Sequence, residues 1–200
     1  MFGARATAFI FEMLLRLVFN LVIHVVHQTW ISHELPCALK WPGCKVWNDT
    51  EVDQFVHHFT HYHHLFRTIK AGAYKADIFR YMVLYVRGGW YADMDNKPVN
   101  FPVIIPKARV VLVRYNDPFD WMIKINFMGA KRGHPVFLDA IRMAMANIAA
   151  GGPSVGAHRY FGVTGPEVFG NAVNRYIGNP AKIKIHHNSR IRDIYVMAGN

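Results

Sequence analysis

The sequence predicts an α/β fold, on three observations. Its 200 residues suit one domain at roughly 100 to 200 residues per domain. With 52% hydrophobic and 18% charged residues, it has enough apolar material for a core and too little charge for a disordered tail. Strand-like and helix-like periodicities alternate along the chain, the pattern of a sheet covered by helices. No internal repeat or low-complexity linker divides it, and Gly and Pro are spread at short intervals rather than gathered at one boundary.

The elements follow in order. From Ala8 to Val26 the chain is mostly apolar, and at about 20 residues such a stretch is long enough to span a bilayer. Glu12, Arg16, Asn20 and His24 recur every four positions, however, and on a helix they line a polar stripe opposite Phe9, Met13, Leu17 and Leu21. Residues 1–20 therefore read as an amphipathic helix that covers the core or lies on a membrane surface, ahead of a domain over 21–200. Residues 21–27 (LVIHVVH) form a β-rich run, followed by a loop through Pro36 and Pro42. Asn48, Asp49 and Thr50 offer helix caps, so 51–66 reads as a helix. A second helix covers 73–86 and ends at Gly88-Gly89. A strand ending at Asp93 comes next, then strands over 109–114 and 124–128, helices over 134–149 and 166–176, and closing strands over 182–187 and 191–197.

Charge narrows the partners. The chain carries 23 Lys+Arg against 13 Asp+Glu, a net +10, which favours anionic ligands: phosphorylated small molecules, anionic lipid or nucleic acid. Its cations are scattered rather than collected in an arm or an aromatic RNA-binding strand, so nucleic acid is not an expected partner. Cys37 and Cys44 are too few for a disulfide scaffold and lack zinc-ribbon spacing. His57, His61 and His64 fall at i, i+4 and i+7, a spacing that offers three imidazoles to zinc on one helix face. His33-Glu34 lacks the second histidine of an H-E-x-x-H motif, and a solvated histidine face is the simpler reading.

The chemistry concentrates in residues 73–96, AYKADIFRYMVLYVRGGWYADMDN. Asp77, Arg80 and Leu84 share one helix face. The Gly pair reverses the chain, and Trp90-Tyr91-Ala92 runs extended into Asp93-Met94-Asp95, where i, i+2 spacing aims two carboxylates to one side. Two hard oxygen ligands suit Mg²⁺ or Mn²⁺, whose open positions take phosphate oxygens.

This string resembles the DXD-containing sugar-binding region of family-32 glycosyltransferases, the group that includes fungal Golgi mannosyltransferases and is related to glucosylating bacterial toxins. The matching residues are Lys75, Ala76, Asp77, Arg80, Tyr81, Leu84, Tyr85, Gly88, Gly89, Tyr91, Asp93 and Asp95. His27-Gln28-Thr29-Trp30 is similar to the family's His-Gln-x-Trp segment, and Val46-Trp47-Asn48-Asp49, Asn126-Phe127-Met128, Gly133-His134-Pro135 and Thr164-Gly165-Pro166 follow its order. The likeness covers about residues 22 to 187.

The resemblance implies a GT-A type fold, a Rossmann-like mixed sheet flanked by helices. It also implies a UDP- or GDP-hexose donor, a divalent cation (Mn²⁺ or Mg²⁺), a glycan or protein acceptor, and retention at the anomeric carbon. Carried over by position, Asp93 and Asp95 hold the metal with His187 completing its shell, His186 being the alternative. Asp77 and Arg80 contact donor sugar hydroxyls, and Arg80 and Asp95 serve the departing diphosphate. Trp30 stacks on the base, Asn126 sits near the transferred sugar, and Thr164 and Gly165 shape the acceptor side. The chain departs from the family after His187: it reads Asn188-Ser189-Arg190 in place of a Gly-Ser-Trp-like ending. A non-catalytic sugar-nucleotide or glycan-binding module is thus the second reading, and a zinc- or nucleic-acid-binding module the third.

Overall fold

The computed structural model describes residues 25–30, 41, 43–96, 108–151, 159–186 and 189–197. The expected amphipathic segment over 1–20 and the ligand candidate His187 lie outside the described residues.

Where apolar residues come in short β-rich runs, strands form: β1 Val26–Thr29, β2 Cys44–Trp47, β3 Gly89–Ala92, β4 Val110–Arg114, β5 Ile123–Ala130, β6 Ser189–Ile191 and β7 Ile194–Met197. They join in one seven-stranded sheet of order β2-β1-β3-β5-β4-β7-β6. The pairs β1–β2, β1–β3 and β4–β7 are parallel, whereas β3–β5, β4–β5 and β6–β7 are antiparallel. The sheet is therefore mixed, as expected. Parallel pairing needs crossovers; helices α1 Asp49–Val56, α2 Thr60–Thr68 and α3 Gly72–Arg87 lie between β2 and β3, and α4 Pro135–Ala149, α5 Arg159–Val163 and α6 Pro166–Ile177 between β5 and β6.

Asn48 caps α1 through a complete capping box with Glu51, satisfying two otherwise orphaned backbone donors. The predicted single helix over 51–66 is in fact two. His58 N and Phe59 N bond back to Phe55 O and Val56 O, tightening the chain into a turn before it restarts at Thr60. His57, His61 and His64 consequently do not share one helix face. Residues 182–187, expected as a strand, pair with no strand among the described residues; Ile185 alone is buried there. The predicted strand over 191–197 is the hairpin of β6 and β7, reversed at Arg192-Asp193 with Arg192 left-handed (φ 57°).

Helix α3 decides where the site falls. Every residue from Asp77 to Leu84 is buried, because the helix lies against the sheet on one side and α4 on the other. Its Phe79 and Met82 join Tyr91 of β3 in one core. Gly88 ends it at φ 70° and Gly89 follows at φ 93°. A β-carbon on Gly89 would lie 2.5 Å from the Val25 carbonyl oxygen, so the tight approach of this turn to β1 requires glycine.

Candidate functional site

In open α/β sheets ligands collect beyond the carboxyl ends of the parallel strands. Here β1 ends at Thr29, just before Trp30, and β3 at Ala92, just before Asp93, and β5 runs antiparallel beside β3 with Ala92 opposite Phe127. The Asp-Met-Asp turn thus emerges at the ligand edge.

That turn is braced from below. The Asp93 amide donates to Asn126 O (2.8 Å), and the Asn96 side-chain amide donates to the same carbonyl (2.6 Å). Asn126 Nδ2 donates to Asn96 Oδ1 (3.3 Å), and the Trp41 indole N–H donates to Asn96 O (2.9 Å). Trp41 and Trp90 both stack on Phe127, with centroids 5.5 and 5.2 Å away. Asn126 therefore holds the turn's backbone through its carbonyl and meets Asn96 through its side chain. The contributions of Asn96 and Trp41 were missed in the sequence; the one available signal was that Asn directly follows the Asp pair, a residue that favours turns by bonding nearby backbone.

Beneath Asp93 lies a buried ionic network. Arg80 is 5% exposed and Asp77 8%. The Arg80 guanidinium donates to both oxygens of Asp93, each at 3.2 Å, and to Asp77 Oδ1 at 3.2 Å. It also donates to Ile125 O (3.0 Å) and Ala76 O (3.2 Å) and lies over the Tyr91 ring. Thr164 Oγ1 donates to Asp77 Oδ2 at 2.8 Å, and the Tyr81 hydroxyl donates to Thr164 O and Gly165 O. Burial pushes the Asp77 carboxyl above its ordinary range, against the pull of Arg80 and Thr164. Burial also opposes the Arg80 charge, yet Tyr91, Asp77 and Asp93 outweigh it and the group is held more firmly protonated than usual. Tyr91, which meets Thr29 Oγ1 at 3.1 Å, has its hydroxyl pKa raised chiefly by burial.

The structure brings Asp77, Arg80, Asp93, Asn126, Thr164 and Gly165 into one connected network. Asp93 keeps its side chain 32% exposed, and Asp95, two residues on, is exposed. Trp30 stands at the end of β1, 37% exposed, with its amide bonded to Trp47 O. His186 is exposed. Among the described residues, no group of three or more His, Cys, Asp or Glu side chains is placed to hold a metal ion; in the histidine-rich segment His63 of α2 instead pairs with Asp53 of α1 at 3.2 Å. A concavity of about 720 Å³ opens at the opposite end of the strands, between Val25, Lys45, Trp47, Phe55, Arg87 and Arg132, away from the Asp-Met-Asp turn.

His27, in the same β1 segment as Trp30, is structural. Its Nε2–H donates to Gly88 O (3.1 Å), and its Nδ1 accepts from the Trp47 indole (3.2 Å). Burial lowers its pKa to about 4, consistent with this neutral tautomer.

Comparison with known proteins agrees with this architecture. Residues 24–111 match the family described as "Glycosyltransferase sugar-binding region containing DXD motif". Inositol phosphoceramide mannosyltransferase 3 of Schizosaccharomyces pombe is 30% identical over 137 residues, which cover 59% of this chain and 36% of that protein. The chain thus matches little more than a third of that relative's length. The solved structure of the PaToxG glycosyltransferase resembles it with a TM-score of 0.58 at 15% identity, covering 83% of this chain and 78% of that one. The fold is therefore of the GT-A-like class, a mixed sheet flanked by helices. Within that class, residues 24–111 are similar to the DXD-containing sugar-binding region, the same kind of protein that the sequence resemblance pointed to.

Proposed function

We propose that this chain binds a nucleotide-diphosphate sugar at the Asp93–Asp95 turn and transfers its hexose, with retention, to a hydroxyl of a glycan or protein. The supporting observation is charge. Three carboxylates, Asp77, Asp93 and Asp95, share this corner with one guanidinium, an anionic patch in a chain of net charge +10. A diphosphate would be repelled there unless a cation lay between.

The donor set fits a divalent cation. Asp95 is exposed, and Asp93, though paired with Arg80, keeps lone-pair capacity on both oxygens. Carboxylate oxygens suit Mn²⁺ or Mg²⁺. When bound, such a cation neutralises the charge that develops on a departing diphosphate.

The residues divide the remaining work. Arg80 fixes the Asp93 carboxylate, and Asp77, with both oxygens engaged, fixes Arg80 in turn. Thr164, fully buried, holds Asp77 and ties the start of α6 to the site. Asn126 sets the height of the turn. Trp30 offers an exposed ring to the base. In transfer, the C1–O bond to the diphosphate breaks, C1 bonds to the acceptor oxygen, and a diphosphate oxygen takes the acceptor proton. Groups that meet the charge of this transition state therefore act on rate more than on ground-state affinity. The name of the yeast relative brings mannose forward as the first hexose to test.

Turnover of nucleotide-sugar donors with Mn²⁺ tests the reading. Asp95→Asn is expected to lower metal-dependent donor cleavage and transfer by at least about 100-fold with the fold intact. Near-normal turnover in that variant overturns the assignment. Metal-dependent nucleotide binding without cleavage of any donor by the wild-type chain replaces it with the non-catalytic module.

A further inference from the structure

We infer that Tyr115 and Phe161 form the platform on which a pyranose ring of the acceptor rests, an inference that builds on the transferase reading and extends it to acceptor chemistry.

Sheet order supplies the first argument. Strands β1 and β4 flank the β3–β5 pair on opposite sides. Trp30 follows β1, whereas Tyr115 directly follows the end of β4 and bonds through its amide to Met122 O. Strand β4 pairs antiparallel with β5, Arg114 opposite Ile123, and β5 pairs antiparallel with β3. The ends of β3 and β4 consequently point the same way. A donor laid from Trp30 to the Asp-Met-Asp turn leaves the β4 side for the second substrate.

Two chains of contact tie this side to the ionic network. Lys124 Nζ lies 5.7 Å from the centre of the Tyr115 ring, and the next residue, Ile125, accepts from Arg80 through its carbonyl. Phe161 lies in α5, three positions before Thr164, whose hydroxyl bonds Asp77. The Tyr115 and Phe161 rings face each other at 6.3 Å with a 53° tilt. They form an open notch rather than a closed stack, and Phe161 is 37% exposed.

The chemistry selects the ligand. An aromatic face carries partial negative charge and attracts positively polarised edges; the C–H face of a pyranose is such an edge, with hydroxyls around its rim. A half-buried tyrosine and an exposed phenylalanine give apolar contact, and the Lys124 ammonium, which lies over the Tyr115 ring, brings N–H donors beside them. A few convergent polar groups on an aromatic wall are what small-molecule sites are made of.

Saturation-transfer NMR on the full chain with methyl α-D-mannopyranoside, without donor or metal, tests the platform. The ring C–H protons are expected to be enhanced in the wild type, and Phe161→Ala to weaken binding about fivefold to tenfold, within what an aromatic contact is worth. Phe161→Trp should restore it. No enhancement in the wild type, equal binding by Phe161→Ala, or complete displacement of the glycoside by UDP or GDP alone overturns the inference; displacement would make the notch a base site. Where transfer is measurable, Phe161→Ala should raise the acceptor KM by the same factor. Absence of transfer from every donor sinks the transferase reading without touching the NMR result, so the two failures are distinguishable.

Discussion

Arg80 is the residue on which the site turns. It is buried, and its charge is balanced by Asp77 and Asp93 with carbonyls taking its remaining donors. Removing one partner of such a network leaves uncompensated charge in a poor solvent for it. Arg80→Met is therefore expected to cost about 3–5 kcal/mol, read as a lowered urea midpoint. An unchanged midpoint would contradict the network. Its local half was legible: Asp77 and Arg80 are three apart on a helix. Its other half was not, because Thr164, 87 residues from Asp77, and the Ile125 carbonyl reach the cluster only through the sheet and the helix packing. The sequence resemblance assigned Asp77 to sugar hydroxyls, but burial and two engaged oxygens make it a positioning residue in the proposed mechanism.

At the scale of elements, the segment from α3 to β3 was the most readable part of the chain. Its buried run and Gly-Gly stop are both local signals. Gly89 carries a left-handed φ and a backbone contact at once, so Gly89→Ala should cost about 2–4 kcal/mol from strain and overpacking together. Thermal unfolding checks this; a loss below about 1 kcal/mol would mean that the turn has another conformation. The failures are equally physical. No Gly or Pro marks the break at 57–59; it is set by the need to bury Phe55, Val56 and Phe66 in one core. The hairpin turn Arg192-Asp193 lacks the Asn-Gly signature. Residues 182–187 have β-like composition, but a strand needs a partner.

Over the whole molecule, pH dependence follows from buried histidines. His27 titrates near 4 in the folded chain instead of 6.5, owing first to burial, and burial also lowers His134. The unfolded chain then binds more protons below pH 6.5, so this stability is complete above that pH and is lost as pH falls towards 4. For His27 the limit is about 3 kcal/mol. Asp77, raised by burial, works in the opposite direction over the carboxylate range. Urea unfolding between pH 7 and 4 should show a falling midpoint, with a shallower fall in His27→Gln; parallel slopes would remove His27 as the cause. At this scale the α/β class was legible from alternation alone. The mixed sheet and GT-A-like architecture came with the family resemblance, since strand order leaves no mark in periodicity.

In the proposed mechanism Asp93 and Asp95 would hold a divalent cation that neutralises the charge of the donor diphosphate. Calorimetric titration of UDP and GDP into the full chain, with and without Mn²⁺, addresses it directly. Binding should appear for at least one nucleotide only with the metal, and should vanish in Asp95→Asn while the unfolding midpoint stays in place. Equal binding with and without Mn²⁺, or undiminished binding by Asp95→Asn, would contradict it.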